Sequence, residues 1–127
     1  MGIEGTRVLL VEDEAIIAMT AEDMLEELGC TTVATASTLG EALAAAETAS
    51  FDVALLDINL NGEESLPVAA RLRVLGLPFV FTTGYGAPGS SRDYDDVPLV
   101  GKPYDMNDLA AAIAAALANA SGQAGEI

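Results

Sequence analysis

Two hydrophobic rhythms alternate along the chain. Residues 7–13, RVLLVED, open with the continuous aliphatic run of a strand covered on both faces. Residues 14–28 switch to helical spacing, with Ile17, Met24, Leu25 and Leu28 on one stripe and Gly29 as the stop. The short β-branched stretch TTVATAS (31–37) predicts a second strand. Thr38 and Glu41 have capping-box spacing and open an Ala-rich helix to about Ala49. Val53 to Asp57 predict the third strand, and Ser65 with Pro67 start a helix that runs through Leu72 to Gly76. PFVFTT (78–83) and PLVG (98–101) predict strands four and five. Asp105 caps a last helix striped by Leu109, Ile113 and Leu117. GYGAPGSSRDYDDV is rich in Gly, Ser and Asp, so the fourth helix is expected to be short and mobile. The tail SGQAGEI is expected to fray.

Five strands alternating with helices predict an α/β domain, a doubly wound parallel sheet with helices on both faces. Residues 1–120 form the expected domain and 121–127 the tail. At 127 residues the chain is long enough to bury a core without staples. No apolar run reaches membrane-spanning length, and the N-terminus lacks the pattern of a secretory signal. The one cysteine, Cys30, has no partner for an internal disulfide and reads as a small core residue. A reducing cytoplasm fits this best. Twenty acids against five bases give a net charge of −15, which excludes direct binding to nucleic acid. Most of that charge reads as a solubilising surface, so only acids at strand ends are candidates for chemistry.

Ligands in open parallel sheets bind outside the carboxyl ends of the strands. Strand one brings Glu12 and Asp13 there, and strand three brings Asp57, with Asn59 just beyond. Strand four brings Thr83 beside Gly84, and strand five brings Lys102 ahead of Pro103. Asp57 is expected to stand exposed, and the loop after it carries no base to neutralise it. Two carboxylates about 5 Å apart repel by roughly 3 kcal/mol at an effective dielectric near 20. Three together call for a cation, and an oxygen-rich set with one lysine suits Mg²⁺, or Mn²⁺. A phosphoryl donor then has charge to meet, with Asp57 as the nucleophile. The metal would bridge the attacking and phosphoryl oxygens, Lys102 would meet another, and Thr83 a third.

LLVEDE, LLDINL, FTTGYG and GKPY, in this order and spacing, resemble the four signature blocks of the response-regulator receiver domain over about residues 6–119. The resemblance implies the flavodoxin-like (βα)5 fold with strand order 2-1-3-4-5. It implies a phosphoryl group accepted on Asp57 from a histidine kinase or histidine phosphotransfer protein. Asp13 is then a direct Mg²⁺ ligand, Glu12 acts through water, and Asn59 lends its backbone carbonyl. Thr83 is the switch hydroxyl, Lys102 pairs with the phosphoryl group, and the Lys102–Pro103 peptide is cis. PFVFTTGYG further resembles the FATGUY receivers, stand-alone regulators of alphaproteobacteria, with Thr82 where that motif has Ala. Leu99 stands where many receivers carry the aromatic that rotates on phosphorylation, and Tyr85 or Tyr104 is the candidate to replace it. Asn59 and Tyr85 also occupy the positions that tune acyl-phosphate lifetime in the family. The loop NLNGEES lacks the usual Met-Pro after the acceptor.

This resemblance implies a stand-alone regulator that signals by protein–protein contact, as a monomer or a phosphorylation-dependent homodimer, with its downstream protein unidentified. Kinase docking is expected on Ala15, Ile16, Met19, Pro103 and Tyr104. Beyond phosphorylating and dephosphorylating itself, the domain is not expected to be an enzyme. The alternatives are a phosphate sink in a phosphorelay and an aspartyl-phosphate phosphatase, which needs a second acid where this chain has Asn59. A flavin carrier would need a phosphate-cradling loop where Glu12, Asp13 and Glu14 stand.

Overall fold

The computed structural model describes residues 2–84 and 94–125. Tyr85 and most of the fourth-helix segment therefore lie outside the described residues. Strands β1 (Arg7–Val11), β2 (Thr31–Ala36) and β3 (Val53–Asp57) precede a small ribbon of β4 (Asn59–Leu60) and β5 (Glu63–Glu64). Strands β6 (Phe79–Thr83) and β7 (Leu99–Gly101) complete the set, and the helices are α1 (Ala15–Glu27), α2 (Leu39–Thr48), α3 (Leu66–Leu75) and α4 (Met106–Gly125). The main sheet is parallel throughout, in the order β2-β1-β3-β6-β7. This is the expected order, since β6 and β7 are the fourth and fifth strands of the sequence reading.

Burial explains the aliphatic runs. Every residue of β3 and β6 is buried, as is all of β1 after Arg7, whereas the edge strand β2 alternates towards solvent. Side chains of successive strand residues go to opposite faces. Val8, Leu10, Val53, Leu55, Val80 and Val100 accordingly pack with α1 and α4. Leu9, Val11, Ala54, Leu56, Phe79 and Phe81 pack with α2 and α3. Small residues let the helices lie close: Ala18 and Ala21 on α1, Ala42 and Ala46 on α2, Ala69 on α3.

Local signals act mostly as the sequence predicts. The Glu41 N–H donates to Thr38 Oγ1 at 3.1 Å, so Thr38 caps α2. The returning Glu41 carboxylate accepts from Ser37 N and Ser37 Oγ, one residue before the expected partner. Asp105 caps α4 through the Asp108 N–H, and Gly76 closes α3 at φ 73°. Ser65 precedes α3 without a side-chain cap; its hydroxyl is buried and has no hydrogen-bond partner among the described residues. Helix α4 runs on to Gly125. Alanines sustain the helix at low entropic cost, and no proline stops it.

Candidate functional site

The carboxyl ends of β1, β3, β6 and β7 converge. Backbone bonds fix their spacing: Ile58 N donates to Thr82 O at 3.0 Å and Lys102 N to Thr83 O at 2.8 Å. Glu12 follows β1 directly and is 1% exposed, and Asp57 ends β3 at 4%. Asp57 is thus not the exposed acid the sequence led us to expect. Lys102 comes from across the sheet to neutralise it, its Nζ lying 3.0 Å from Asp57 Oδ2 and 3.0 Å from Glu12 Oε1. The missing base is distant in sequence and adjacent in space. The Lys102–Pro103 peptide is cis.

One oxygen of each carboxylate meets a backbone donor. Glu14 N donates to Glu12 Oε2 at 3.2 Å, Asn59 N to Asp57 Oδ1 at 3.2 Å, and Asn61 N to Asp13 Oδ2 at 3.0 Å. One oxygen each from Glu12, Asp13 and Asp57 lies within 4.8 Å of the others. Above them opens a cleft of about 510 Å³ lined by Asp13, Asp57, Asn59, Thr83, Gly84 and Lys102, with Ile17 of α1 at its wall. The structure therefore brings Glu12, Asp13, Asp57, Asn59, Thr83, Gly84 and Lys102 together. Leu99 lies apart on β7, 45% exposed, and Tyr104 packs on the core beside α1 and α4.

Charge is unbalanced in this cluster. Burial pushes Glu12 up to about 7, against the pull of its hydrogen bond from Lys102, and the Asp57 charge adds to the rise. Asp13 is also partly desolvated, yet the Asn61 N–H and its other donors hold it below its ordinary value. Desolvation would lower Lys102, but Asp57 and Glu12 outweigh it and hold the ammonium above its usual range. Three carboxylates facing one ammonium are a donor set that fits a hard divalent cation. A folded-state pKa above the unfolded value of 4.5 means the native state binds the proton more tightly. Glu12's contribution to stability is therefore complete below about 4.5 and is lost as pH rises through about 7. Without metal, wild type is expected to lose stability across that window in urea unfolding, and Glu12→Gln to lose markedly less. A parallel pH dependence in the two proteins would contradict this.

Two features escaped the sequence reading. The loop after Asp57 folds into the β4–β5 ribbon, whose turn residues Asn61 and Gly62 have φ of 54° and 86°. Asn-Gly is the strongest short signal for such a turn. The ribbon is tied down by Asn61 N on Asp13 and by Asn61 Nδ2, which donates to Ser37 O at 3.3 Å. Tyr94, unassigned from sequence, stacks edge-on against Phe79 and Phe81 under the Arg73 guanidinium, 4.8 Å from its ring centre. Nothing in the local sequence links Arg73 to Tyr94.

A doubly wound parallel domain with an acidic, lysine-bridged pocket at its strand ends defines a class of α/β protein suited to cation-assisted anion chemistry. The chain belongs to the response regulator receiver domain family, whose family model matches residues 8–114. Phosphorylation on aspartate and Mg²⁺ binding are typical of that family. The solution structure of SdrG from Sphingomonas melonis Fr1 is 45% identical and superposes with a TM-score of 0.76, covering 89% of this chain and 97% of that one. The phyllosphere-induced regulator PhyR of Methylorubrum extorquens is 32% identical over 117 residues, covering 89% of this chain and 44% of that protein. The transcriptional regulatory protein PdtaR of Mycobacterium tuberculosis is 30% identical over 111 residues, covering 84% of this chain and 54% of that protein. The chain spans about half the length of these two curated relatives.

Proposed function

We propose that the chain accepts a phosphoryl group on Asp57 from the phosphohistidine of a histidine kinase or phosphotransfer protein and passes the new state on by protein–protein contact. One observation carries this: Glu12, Asp13 and Asp57 present oxygens within 4.8 Å of one another beneath an open cleft, with Lys102 bridging two of them. An Asp57 carboxylate oxygen attacks phosphorus, the phosphorus–nitrogen bond breaks, and the departing imidazole takes a proton from solvent. Lys102 orients the carboxylate and then meets the negative oxygens of the transferred group. Asn59 N–H holds Asp57 Oδ1 and so limits rotation of the acceptor. Thr83 and Gly84, in the cleft wall, leave room for the phosphoryl group and offer a hydroxyl to it.

Asp13, Asp57 and the Asn59 carbonyl would hold Mg²⁺, with Glu12 acting through water. When bound, that ion supplies the positive charge the four side chains lack. Signalling through contact with another protein is part of this reading, as is a location in the cytoplasm. Among the described residues no helix is long and apolar enough to cross a membrane. Ile16 and Met19, 80% and 61% exposed on α1 beside the cleft, are suited to meet the phosphodonor. The only catalysis is on the domain's own acyl phosphate. Calorimetric titration tests the metal part: wild type is expected to bind Mg²⁺, and Asp13→Asn to bind at least about tenfold more weakly. Equal binding by the two proteins would reject Asp13 as a ligand.

A further inference from the structure

A buried hydroxyl beside this site makes no well-formed hydrogen bond among the described residues. Leu10, Leu55, Val80 and Val100 all face α1 and α4. Strand alternation puts the residues two further on, Glu12, Asp57, Thr82 and Lys102, on that same face as the layer closing its end. Registers agree: Val11 pairs with Leu56, Asp57 with Thr82, and Thr82 with Val100. Tyr104 packs against this cluster. Its hydroxyl is buried and makes no well-formed hydrogen bond among the described residues, although the Thr82 side chain lies near enough to act on it. Burial raises the phenol above its ordinary value, and the charges that act on it are Glu12, Lys102 and Asp57, one from each neighbouring strand end. Phenylalanine would fill the same space without an unpaired donor, so the hydroxyl is a standing cost unless another state uses it.

Phosphoryl acceptance creates that state. Glu12 is 1% exposed, and its two oxygens are held by Lys102 Nζ and Glu14 N–H. Once the ammonium turns to the phosphoryl oxygens, Glu12 Oε1 is a buried anionic acceptor without its donor. Among the described residues the other buried hydroxyl without a hydrogen bond, Ser65, precedes α3, which packs on the opposite face of the sheet. We propose that Tyr104 is a positioning residue for the phosphorylated state, its hydroxyl replacing Lys102 as the donor to Glu12 and so releasing the ammonium to the phosphoryl group. This rests on the reading of Asp57 as acceptor.

The test uses beryllofluoride with Mg²⁺ as the phosphoryl analogue, on wild type, Tyr104→Phe, Glu12→Gln and the double variant. Tyr104→Phe alone is expected to melt no lower than wild type when unloaded, because it removes an unpaired buried group. It is expected to bind beryllofluoride about tenfold more weakly, the worth of one hydrogen bond to a charged group. In the Glu12→Gln background the same substitution should change affinity less than about twofold, since no buried anion then needs the donor. Undiminished binding by Tyr104→Phe overturns the inference. So does a loss of the same size in the Glu12→Gln background, or a drop in unloaded melting temperature that accounts for the weaker binding, either of which marks a packing role only. Failure of wild type itself to take up beryllofluoride would instead overturn the acceptor reading, and this inference with it.

Discussion

Replacing Lys102 with methionine is expected to cost about 3 kcal/mol of folding stability at pH 8 in metal-free buffer, and much less at pH 5. Its side chain is only 12% exposed and bridges two carboxylates that are themselves almost fully buried, so solvent screens the pair little. Methionine keeps the length and apolar stem while removing the charge. Glu12 and Asp57 are then left facing each other and Asp13 without a cation. Glu12, already pushed up to about 7 in the intact site, rises further without the ammonium. At pH 5 it is protonated in any case, whereas at pH 8 it must stay charged or take up a proton at a cost in free energy. The ammonium itself stays charged at both values, because its own pKa is raised. Urea unfolding at the two pH values checks the prediction, and millimolar Mg²⁺ is expected to recover part of the loss at pH 8. An equal loss at both values, untouched by Mg²⁺, would mean that Lys102 acts through packing alone.

The sheet was legible because its strands are buried on both faces. RVLLV, VALLD and FVFTT have no polar face to confuse with a helix, and their order along the chain constrains the topology. The site was legible for a related reason: a carboxylate or lysine immediately after an aliphatic strand lands on one edge of a parallel sheet. Burial was not legible. Asp57 looked exposed because its neutralising partner, Lys102, lies forty-five residues away and crosses the sheet to reach it. The β4–β5 ribbon was missed although Asn61-Gly62 announces a tight turn, because the flanking Asn59, Leu60, Glu63 and Glu64 are too few to show alternation. Tyr94 was unassignable for the opposite reason. Its packing against Phe79, Phe81 and Arg73 joins three elements, and no local pattern reports that.

Asp57→Asn should abolish phosphoryl acceptance entirely, and it should do so in a protein that still folds. Asparagine keeps the shape of the side chain and an oxygen for the Asn59 N–H or Lys102, while the amide is no nucleophile towards phosphorus. Lys102 retains its second partner, Glu12. Removing the Asp57 charge also takes away one of the influences that raise Glu12, so the remaining pair is less strained at neutral pH. The variant therefore separates chemistry from stability. Intact-protein mass spectrometry after incubation with Mg²⁺ and a small phosphodonor such as a phosphoramidate is the direct test. The expected result is a single base-labile phosphoryl adduct on wild type, absent when Mg²⁺ is chelated and absent from Asp57→Asn. No adduct on wild type, or one that persists on Asp57→Asn, would contradict the assignment of Asp57 as the acceptor.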